Sequence, residues 1–195
     1  MLSDNFMWIP QKGGTQVCGE TTDLYFATKK AFEITKFTFK VEGADAAEGG
    51  GPNTKGKGKF GAFSIDKVVD AATVPLYKAC TQATIFPSIC LAIRKVGGDF
   101  LIYMEYIFRY NQITGIDWDG GAGSERPKET ITFSFKAMGL QYVAQKPDGT
   151  PDRPQQWSWN VSDQGGGGTL VVAGIDPAPD FIDPAASAVA QSKLL

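Results

Sequence analysis

The sequence predicts a mainly β fold, a β-barrel or β-sandwich, and three observations support this prediction. Several segments alternate apolar and polar residues with the two-residue period of a β-strand. A single short segment has convincing helical periodicity, and glycine-rich turns separate the strands. The length of 195 residues suits one domain, or one domain with an appendage, and a hydrophobic content of 43% is enough for a sizeable core.

The first 60 residues are predicted to contain short strands and one long loop. Phe6 to Ile9 is the first strand, 17–30 is polar and irregular, and 31–42 ("AFEITKFTFKVE") alternates cleanly with room for a bulge near Lys36. The loop that follows, 43–59, is rich in glycine and has no apolar residue larger than alanine. Because loops beyond about 12–15 residues are usually functional or disordered, this loop is a candidate functional element.

A helix is predicted at 73–83 ("TVPLYKACTQA"), after a strand that begins near Phe60. Thr73 is the candidate N-cap, and Pro75 lies in the first turn, where a missing N–H has no cost. One face of this helix carries Leu76, Tyr77, Cys80 and Ala83.

The central hairpin, "CLAIRKVGGDFLIYMEYIF" (90–108), is predicted to have two apolar faces and a turn at Gly97-Gly98. One face carries Ile89, Leu91, Ile93, Phe100, Ile102, Met104, Tyr106 and Phe108. The opposite face of the second strand carries Leu101, Tyr103, Glu105, Ile107 and Arg109. Because a strand of a lone soluble domain is normally polar on its solvent side, something must cover this second face.

Strands are also predicted within 130–145 and at 155–161, and the chain then changes character. The run 165–168 is four glycines, which neither pack nor propagate regular structure. It marks a boundary between a domain at 1–164 and a C-terminal tail at 165–195, which is too short to fold alone. Within this tail, Asp183 and Pro184 can start a short final helix.

Composition and charge exclude several classes of function. A net charge of −2 gives no strong field for nucleic acid or an anionic membrane, and no apolar run approaches the roughly 20 residues of a membrane helix. The chain has no histidine, which excludes Ser-His-Asp and Cys-His mechanisms and His-dependent metal sites. Cys18, Cys80 and Cys90 form no CxxC pair and predict neither a disulfide framework nor a zinc site, although their state stays open. The N-terminus lacks a signal-peptide pattern, so folding in the cytoplasm is expected.

Two loop motifs are similar to ligand sites but lack essential residues. "GPNTKGKGK" (51–59) has Gly58 where a phosphate loop needs Ser or Thr, and a strand follows instead of a helix. "DWDGG" (117–121) begins like a calcium loop but has Lys128 in place of the twelfth-position Glu. No catalytic, cofactor or metal site is therefore predicted. Trp157 and Trp159 share one strand face, where they form a stacking platform or close the end of a core or interface.

Four ordered segments are similar to one known family. They are "IDKVVDAATVPLYKAC" (65–80), "LAIRKVGGDFLIYMEY" (91–106), "TGIDWDGGAGSERPKETITFSFKAMGLQYVAQKPDG" (114–149) and "WSWNV" (157–161). Over residues 5–164 the chain resembles Hcp, the haemolysin-coregulated tube protein of type VI secretion systems. The segment 13–30 is only loosely similar, and the tail has no counterpart in compact members of the family.

The resemblance implies a small β-barrel with one flanking α-helix and a long extended loop. It also implies six-membered rings that stack into a tube, a contractile sheath that drives the tube outward, and effectors carried inside the ring. It assigns the second face of the hairpin to contacts between subunits, with an apolar centre and charged pairs that fix the alignment of the subunits. The predicted interface residues are Arg94, Leu101, Tyr103, Glu105, Ile107 and Arg109. The alternative is a partly apolar surface beneath the protein's own loops.

The long loop is expected to reach the next ring. Its candidate contact residues are Glu48, Lys55, Lys57 and Lys59. Exposed ion pairs are worth about 0–1 kcal/mol each, so weak and salt-sensitive stacking is expected.

The implied partners are five further copies in a homo-hexamer, sheath and spike proteins of the secretion machine, and small effectors in the ring lumen. No cofactor, nucleic acid, membrane insertion or enzymatic activity is expected. The chain is expected in the cytoplasm before firing and is then secreted without a cleaved signal peptide. Two alternatives stay open: a tail-tube protein of a phage-like contractile particle, and an effector-carrying adaptor that uses 165–195. The sequence identifies neither the cargo nor the mode of ring stacking nor the role of the tail.

Overall fold

The computed structural model describes residues 3–10, 17–43, 59–96, 101–121, 126–161 and 181–184. Within these ranges the chain forms eleven strands and two helices. The strands are β1 (Ser3–Trp8), β2 (Phe32–Glu33), β3 (Lys36–Thr38), β4 (Val41–Glu42), β5 (Lys59–Phe60), β6 (Phe63–Val68), β7 (Ile85–Lys95), β8 (Ile102–Asp119), β9 (Lys128–Ser134), β10 (Ala137–Tyr142) and β11 (Gln155–Asn160). The helices are α1 (Leu24–Thr28) and α2 (Thr73–Thr81). The predicted mainly β fold is confirmed.

Nine strands form one sheet whose two edges are joined by the chain itself. The order is β2-β1-β7-β8-β9-β6-β3, and β10 branches from β8 and carries β11. The edge strands β2 and β3 are consecutive in sequence. Between them, the Ile34 N–H donates to the Asn5 carbonyl of β1 (3.0 Å) and the Thr35 N–H donates to the Asp66 carbonyl of β6 (2.8 Å). This segment therefore closes the sheet into a barrel and leaves neither of these strands as a long open edge.

The long strand β8 changes its partner in the middle. Its first part pairs with β10 as far as Arg109, and its second part pairs with β9 from Gln112 onward. Tyr110, between these two parts, has a positive φ of 51°. The buried side chain of Asn111 then donates to the carbonyl of Phe108 at 2.8 Å, which stabilises the backbone at this break.

The inside of the barrel is filled by one apolar cluster, here called the inner cluster. Its members are Met7, Ile9, Val17, Phe32, Ile34, Phe63, Ile65, Ala72, Leu76, Ala79, Phe86, Ile89, Leu91, Phe108, Ile113, Ile131, Phe133 and Met138. The alternation of the hairpin correctly placed Ile89, Leu91 and Phe108 on this side. The Phe63 and Phe108 rings lie 4.5 Å apart between centroids, so strands on opposite parts of the sheet meet in the centre.

Helix α2 packs on this core through a face that differs in part from the predicted one. Leu76 and Ala79 are buried, whereas Tyr77 is 54% exposed and Ala83 lies beyond the helix. The N-cap is Ala72, which has no side-chain cap, so the predicted capping role of Thr73 is wrong. Thr73 is instead the first helical residue.

A buried charged network anchors the start of α2 to the barrel. The ammonium of Lys67 (β6) is fully buried and donates to Asp70 Oδ1 (2.6 Å) and Glu129 Oε1 (2.7 Å). The Thr73 hydroxyl donates to the same Glu129 oxygen (2.8 Å) and accepts from the Asp70 N–H (3.1 Å). These bonds hold β6, β9 and α2 together and supply the partners that a buried ammonium requires.

Candidate assembly surfaces

The outer face of the hairpin, meaning the side of β7 and β8 turned away from the inner cluster, is covered by two segments that are distant in sequence. Its buried apolar residues form a second cluster, here called the outer cluster: Phe6, Trp8, Phe26, Ala31, Cys90, Ala92, Ile102 and Ile107. The segment around α1 contributes Phe26 and Ala31. Phe181 and Ile182 of the tail also pack against it. Much of the second apolar face is therefore buried within the protomer.

Helix α1 lies where the sequence predicted an irregular segment, because Asp23 caps it. Asp23 Oδ1 accepts hydrogen bonds from the backbone N–H groups of Tyr25 (3.1 Å) and Phe26 (3.0 Å). A five-residue helix is marginal by itself and depends on packing. The Phe26 ring supplies this packing by stacking on Phe6 with a centroid distance of 4.0 Å.

Arg94 joins α1 and β1 to the hairpin. One guanidinium nitrogen donates to Asp23 Oδ2, and another donates to Asp4 Oδ2 at 2.9 Å. The guanidinium carbon lies 4.8 Å from the Phe6 ring centroid. The planar fork of arginine suits simultaneous contacts with two carboxylates and an aromatic face. Arg94 thus has ion-pair partners within its own protomer.

Glu105 is fully buried on the same face and contacts the tail. Its Oε2 accepts a hydrogen bond from the Ile182 N–H at 2.8 Å. Burial, and secondarily the negative charge of Glu105, raise the pKa of the Tyr25 hydroxyl to about 12. The buried Glu105 carboxylate of β8 thus interacts with both Tyr25 of α1 and Ile182 of the tail.

A β-bulge at Tyr103 shifts the predicted alternation by one residue. Ile93 pairs with Met104 and Arg94 pairs with Ile102, so no β7 residue lies opposite Tyr103. Ile102 belongs to the outer cluster, although the sequence placed it on the inner face. Because Ile102 and Glu105 both face outward, Tyr103 and Met104 between them turn toward the inner side. Accordingly, Tyr103 adds to the effect of burial in raising the pKa of Tyr106.

The six predicted interface residues do not share one exposed surface. Four of them are buried in the protomer: Arg94, Leu101, Glu105 and Ile107. Tyr103 and Arg109 are half-buried and leave surface for a neighbour. A subunit contact at these positions stays a prediction.

An apolar surface continues from the inner face onto β8, β10 and β11. The register places Met104 opposite Tyr142, Tyr106 opposite Leu140, and Leu140 opposite Trp157. Met104, Tyr106 and Leu140 are half-buried, while Tyr142 and Trp157 are 41% and 44% exposed. These five residues are called the apolar ledge. Contiguous exposed apolar surface of this kind marks interaction sites more often than isolated apolar residues do.

Three stacked aromatic rings lie at the base of the long loop, and one of them, Trp157, belongs to the ledge. Trp157 and Trp159 stack at 6.0 Å between centroids, which confirms that they share a face, and Phe60 stacks on both at 6.4 and 6.1 Å. Trp159 also packs on the inner cluster. The stack therefore closes the end of the core, as one of the two interpretations predicted.

The charged residues predicted for the long loop are only partly placed by the structure. Lys59 lies on β5, is exposed, and is paired in register with Glu42 of β4. Glu48, Lys55 and Lys57 lie outside the described residues. Their role between rings stays a prediction.

Side chains of metal-ligating types and thiols occur across the described part of the chain. Across these residues, no group of three or more His, Cys, Asp or Glu side chains is arranged to hold a metal ion. Cys18, Cys80 and Cys90 are free thiols, and Cys90 is buried in the outer cluster. The near-phosphate loop at 51–58 lies outside the described ranges.

Comparison with known proteins decides the family. The family described as "Type VI secretion system effector, Hcp" matches residues 6–142, a span from β1 to β10. The chain belongs to the Hcp family. "Protein hcp1" of Pseudomonas aeruginosa PAO1 is 30% identical over 101 residues, which are 51% of this chain and 62% of that protein. The match thus covers less than two thirds of that relative's length.

Solved structures have the same fold as this Hcp-family chain. A type six secretion system protein is similar with a TM-score of 0.74 and 26% identity, over 84% of this chain and 99% of that chain. Hcp1 from Salmonella typhimurium gives 0.65 at 21% identity, over 83% and 97% of the two chains. A type VI secretion system effector from Yersinia pestis gives 0.64 at 22% identity, over 81% and 100%. These last two comparisons show the fold alone.

The Hcp family consists of secreted proteins of the type VI system. In the ranges that the structure describes, no helix of this chain is long and apolar enough to cross a membrane.

Sequence reasoning missed three residues that organise the outer face. Asp23 carried a usable signal, because an Asp directly before "LYF" is a typical N-cap. Gln141 and Ile182 carried none, because their contact joins residues 41 positions apart. Hydrophobic periodicity reports which face of a strand is apolar, but not which segment covers it.

Proposed function

We propose that this chain is the structural protomer of a type VI secretion inner tube. Six copies form a ring, the rings stack into a tube within a contractile sheath capped by spike proteins, and small effectors travel in the ring lumen. The protein acts through geometry rather than catalysis. It is made in the cytoplasm and leaves the cell when the machine fires.

The observation that carries this proposal is the family match over residues 6–142, which runs from the second half of β1 to the end of β10. The apolar ledge supports it, since an isolated protomer leaves Tyr142 and Trp157 more than 40% exposed. Obligate subunit contacts bury surfaces of this composition. We place the ring contact at the ledge together with Tyr103. Arg109 lies on the opposite face of β8 and stays a separate predicted contact.

The long loop 43–59 is proposed to contact the next ring. Its base is the β4–β5 ribbon, which pairs Val41 with Phe60 beside the aromatic stack. Residues 1–164 are proposed as the tube domain and 165–195 as an attached tail. The tail already contacts the barrel at 181–182, so it is not expected to be needed for ring closure.

The test measures assembly and then breaks it at one residue. Light scattering of the purified chain is expected to give about six times the 21.0 kDa protomer mass, and negative-stain imaging is expected to show six-membered rings. A stable monomer at micromolar concentration would contradict the proposal. Electron microscopy of the assembly from its native source separates a secretion tube from a tail tube. Stacked rings inside a phage-like particle would indicate a tail tube, and stacked rings without such a particle would indicate a secretion tube.

The variant Tyr103→Asp is expected to dissociate the ring while the barrel stays folded, because it places a charge in a desolvated contact. Tyr110→Asp is the matched control, since Tyr110 lies on the same strand, is 44% exposed and lies outside the ledge. Circular dichroism checks the fold of both. If Tyr103→Asp still forms intact rings, the contact does not lie at this part of the surface.

A further inference from the structure

The tail residues Phe181 and Ile182 make a contact with the features of ligand recognition. Both pack against the outer cluster. The Ile182 N–H donates to Glu105 Oε2 at 2.8 Å, and the Ile182 carbonyl accepts from Gln141 Nε2 at 3.0 Å. Both backbone polar groups of one tail residue are thus bound by side chains of the barrel, beside a site for its apolar side chain.

The receptor side of this contact is held in place by barrel residues. Gln141 is 3% exposed, and its Oε1 accepts from Gln156 Nε2 at 2.6 Å, which orients its amide N–H groups toward the tail. Glu105 is fully buried beside α1, next to Tyr25. Preorganised donors and acceptors lose little entropy on binding, so such a site favours one segment in one orientation.

The docked segment is separate from the barrel in sequence and in packing. Strand β11 ends at Asn160, and 20 residues, 161–180, separate it from Phe181. Neither Phe181 nor Ile182 belongs to the inner cluster, which fills the barrel. A segment that is covalently joined to its own receptor binds in an intramolecular step, which favours it over the same segment on a free molecule.

We propose that the groove bounded by α1, β8 and β10 is a peptide-binding site, and that its ligand is the chain's own Phe181-Ile182 segment, bound to the same copy through its tether. The ligand is defined by chemistry: two adjacent large apolar side chains, with the backbone N–H and carbonyl of the second available to Glu105 and Gln141. This site goes beyond the proposed ring contact and does not depend on it. The tail thereby covers an outer face that the barrel alone would leave partly exposed.

The test supplies the ligand as a separate molecule. The full-length variant Phe181→Ala/Ile182→Ala leaves the groove without its tethered ligand, and the probe is a fluorescent peptide of residues 177–186 ("PAPDFIDPAA"). Fluorescence anisotropy is expected to show binding to this variant, and at least tenfold weaker binding to the wild-type chain, whose own tethered tail competes with the peptide. The same peptide with alanine at both apolar positions is the control and is expected not to bind.

Two outcomes would overturn the proposal. One is a folded double-alanine variant that does not bind the peptide. The other concerns competition between the wild-type tail and the peptide. If this competition weakened when the protein was diluted at constant oligomeric state, the bound tail would belong to a second copy.

A second measurement uses the wild-type tail in place and does not depend on the double variant. Hydrogen–deuterium exchange of the peptide covering Ile182 is expected to be slow in the wild type. It is expected to speed up at least tenfold in Gln141→Glu, which keeps the acceptor for Gln156 but loses the donor to Ile182. Equal exchange in the two chains would show that Gln141 does not hold the tail.

Discussion

On its inner face the β7–β8 hairpin meets other strands of the same barrel, whereas on its outer face it meets a one-turn helix and two residues of the tail. The inner contacts are broad and apolar, as between Phe108 and Phe63. The outer contacts combine an apolar cluster with a few polar anchors, of which Glu105 and Gln141 are the most buried. Both faces of the hairpin are shielded from water, the inner face by other strands and the outer face by the covering segments.

The inner contacts hold the barrel together, whereas the outer contacts attach the segments that cover it. Removing an inner side chain leaves a cavity between strands that cannot approach one another freely. The segments that cover the outer face, α1 and residues 181–182, are short. We expect them to release before the sheet breaks, because local stability follows local contact density.

The largest effect is expected for Phe108→Ala on the inner face. Phe108 is 1% exposed in the barrel centre, so its truncation is expected to lower the free energy of unfolding by about 3–5 kcal/mol. Ile107→Ala, one residue away on the outer face and fully buried, is expected to cost about 2 kcal/mol, because the covering segments can settle onto the smaller side chain. Urea unfolding measures both. Equal losses would show that the two faces are equally rigid.

The sequence predicted the inner face well and the outer face poorly, for a physical reason. Strand alternation reports the pleat, so Leu91 and Phe108 were assigned to the core correctly. The bulge at Tyr103 has no compositional signal and reversed the assignments of Ile102 and Tyr103 themselves. The cover of the outer face depends on contacts between distant residues, such as Arg94 with Asp4, that periodicity does not contain.

A smaller effect is expected at Asp23, whose two carboxylate oxygens hold α1 on the outer face. Oδ1 caps the helix, and Oδ2 accepts a hydrogen bond from Arg94. Asp23→Asn keeps an acceptor for the α1 cap but loses the charge opposite Arg94, and is expected to cost about 1–2 kcal/mol. Asp23→Ala loses the cap as well and is expected to cost about 1 kcal/mol more. The measured quantity is again the free energy of unfolding.

Asp4→Asn is the control for this pair. The Asp4 side chain is 43% exposed, so its bond to Arg94 is screened by solvent and its loss is expected to cost less than about 1 kcal/mol. If Asp4→Asn were as destabilising as Asp23→Asn, the difference in burial between the two ion pairs of Arg94 would not determine how much each contributes to stability. If Asp23→Asn and Asp23→Ala were equal, the cap would contribute nothing to α1.

The smallest effect is expected at alkaline pH and reports on the outer face alone. The pKa of Tyr25 is raised from its ordinary value of 10.0 to about 12, first by burial and then by Glu105. In the unfolded chain Tyr25 ionises near pH 10, while in the folded chain it stays protonated. The stability that this difference gives is therefore complete below about pH 10 and is lost as the pH rises toward 12.

The difference in absorbance at 295 nm between the wild type and Tyr25→Phe isolates Tyr25 among the six tyrosines. Release of the tail in the Phe181→Ala/Ile182→Ala variant is expected to hydrate this contact and move the pKa of Tyr25 back toward 10, with the inner cluster unaffected. A pKa of Tyr25 that stays near 12 without the tail would mean that α1 and the barrel keep the contact dry by themselves.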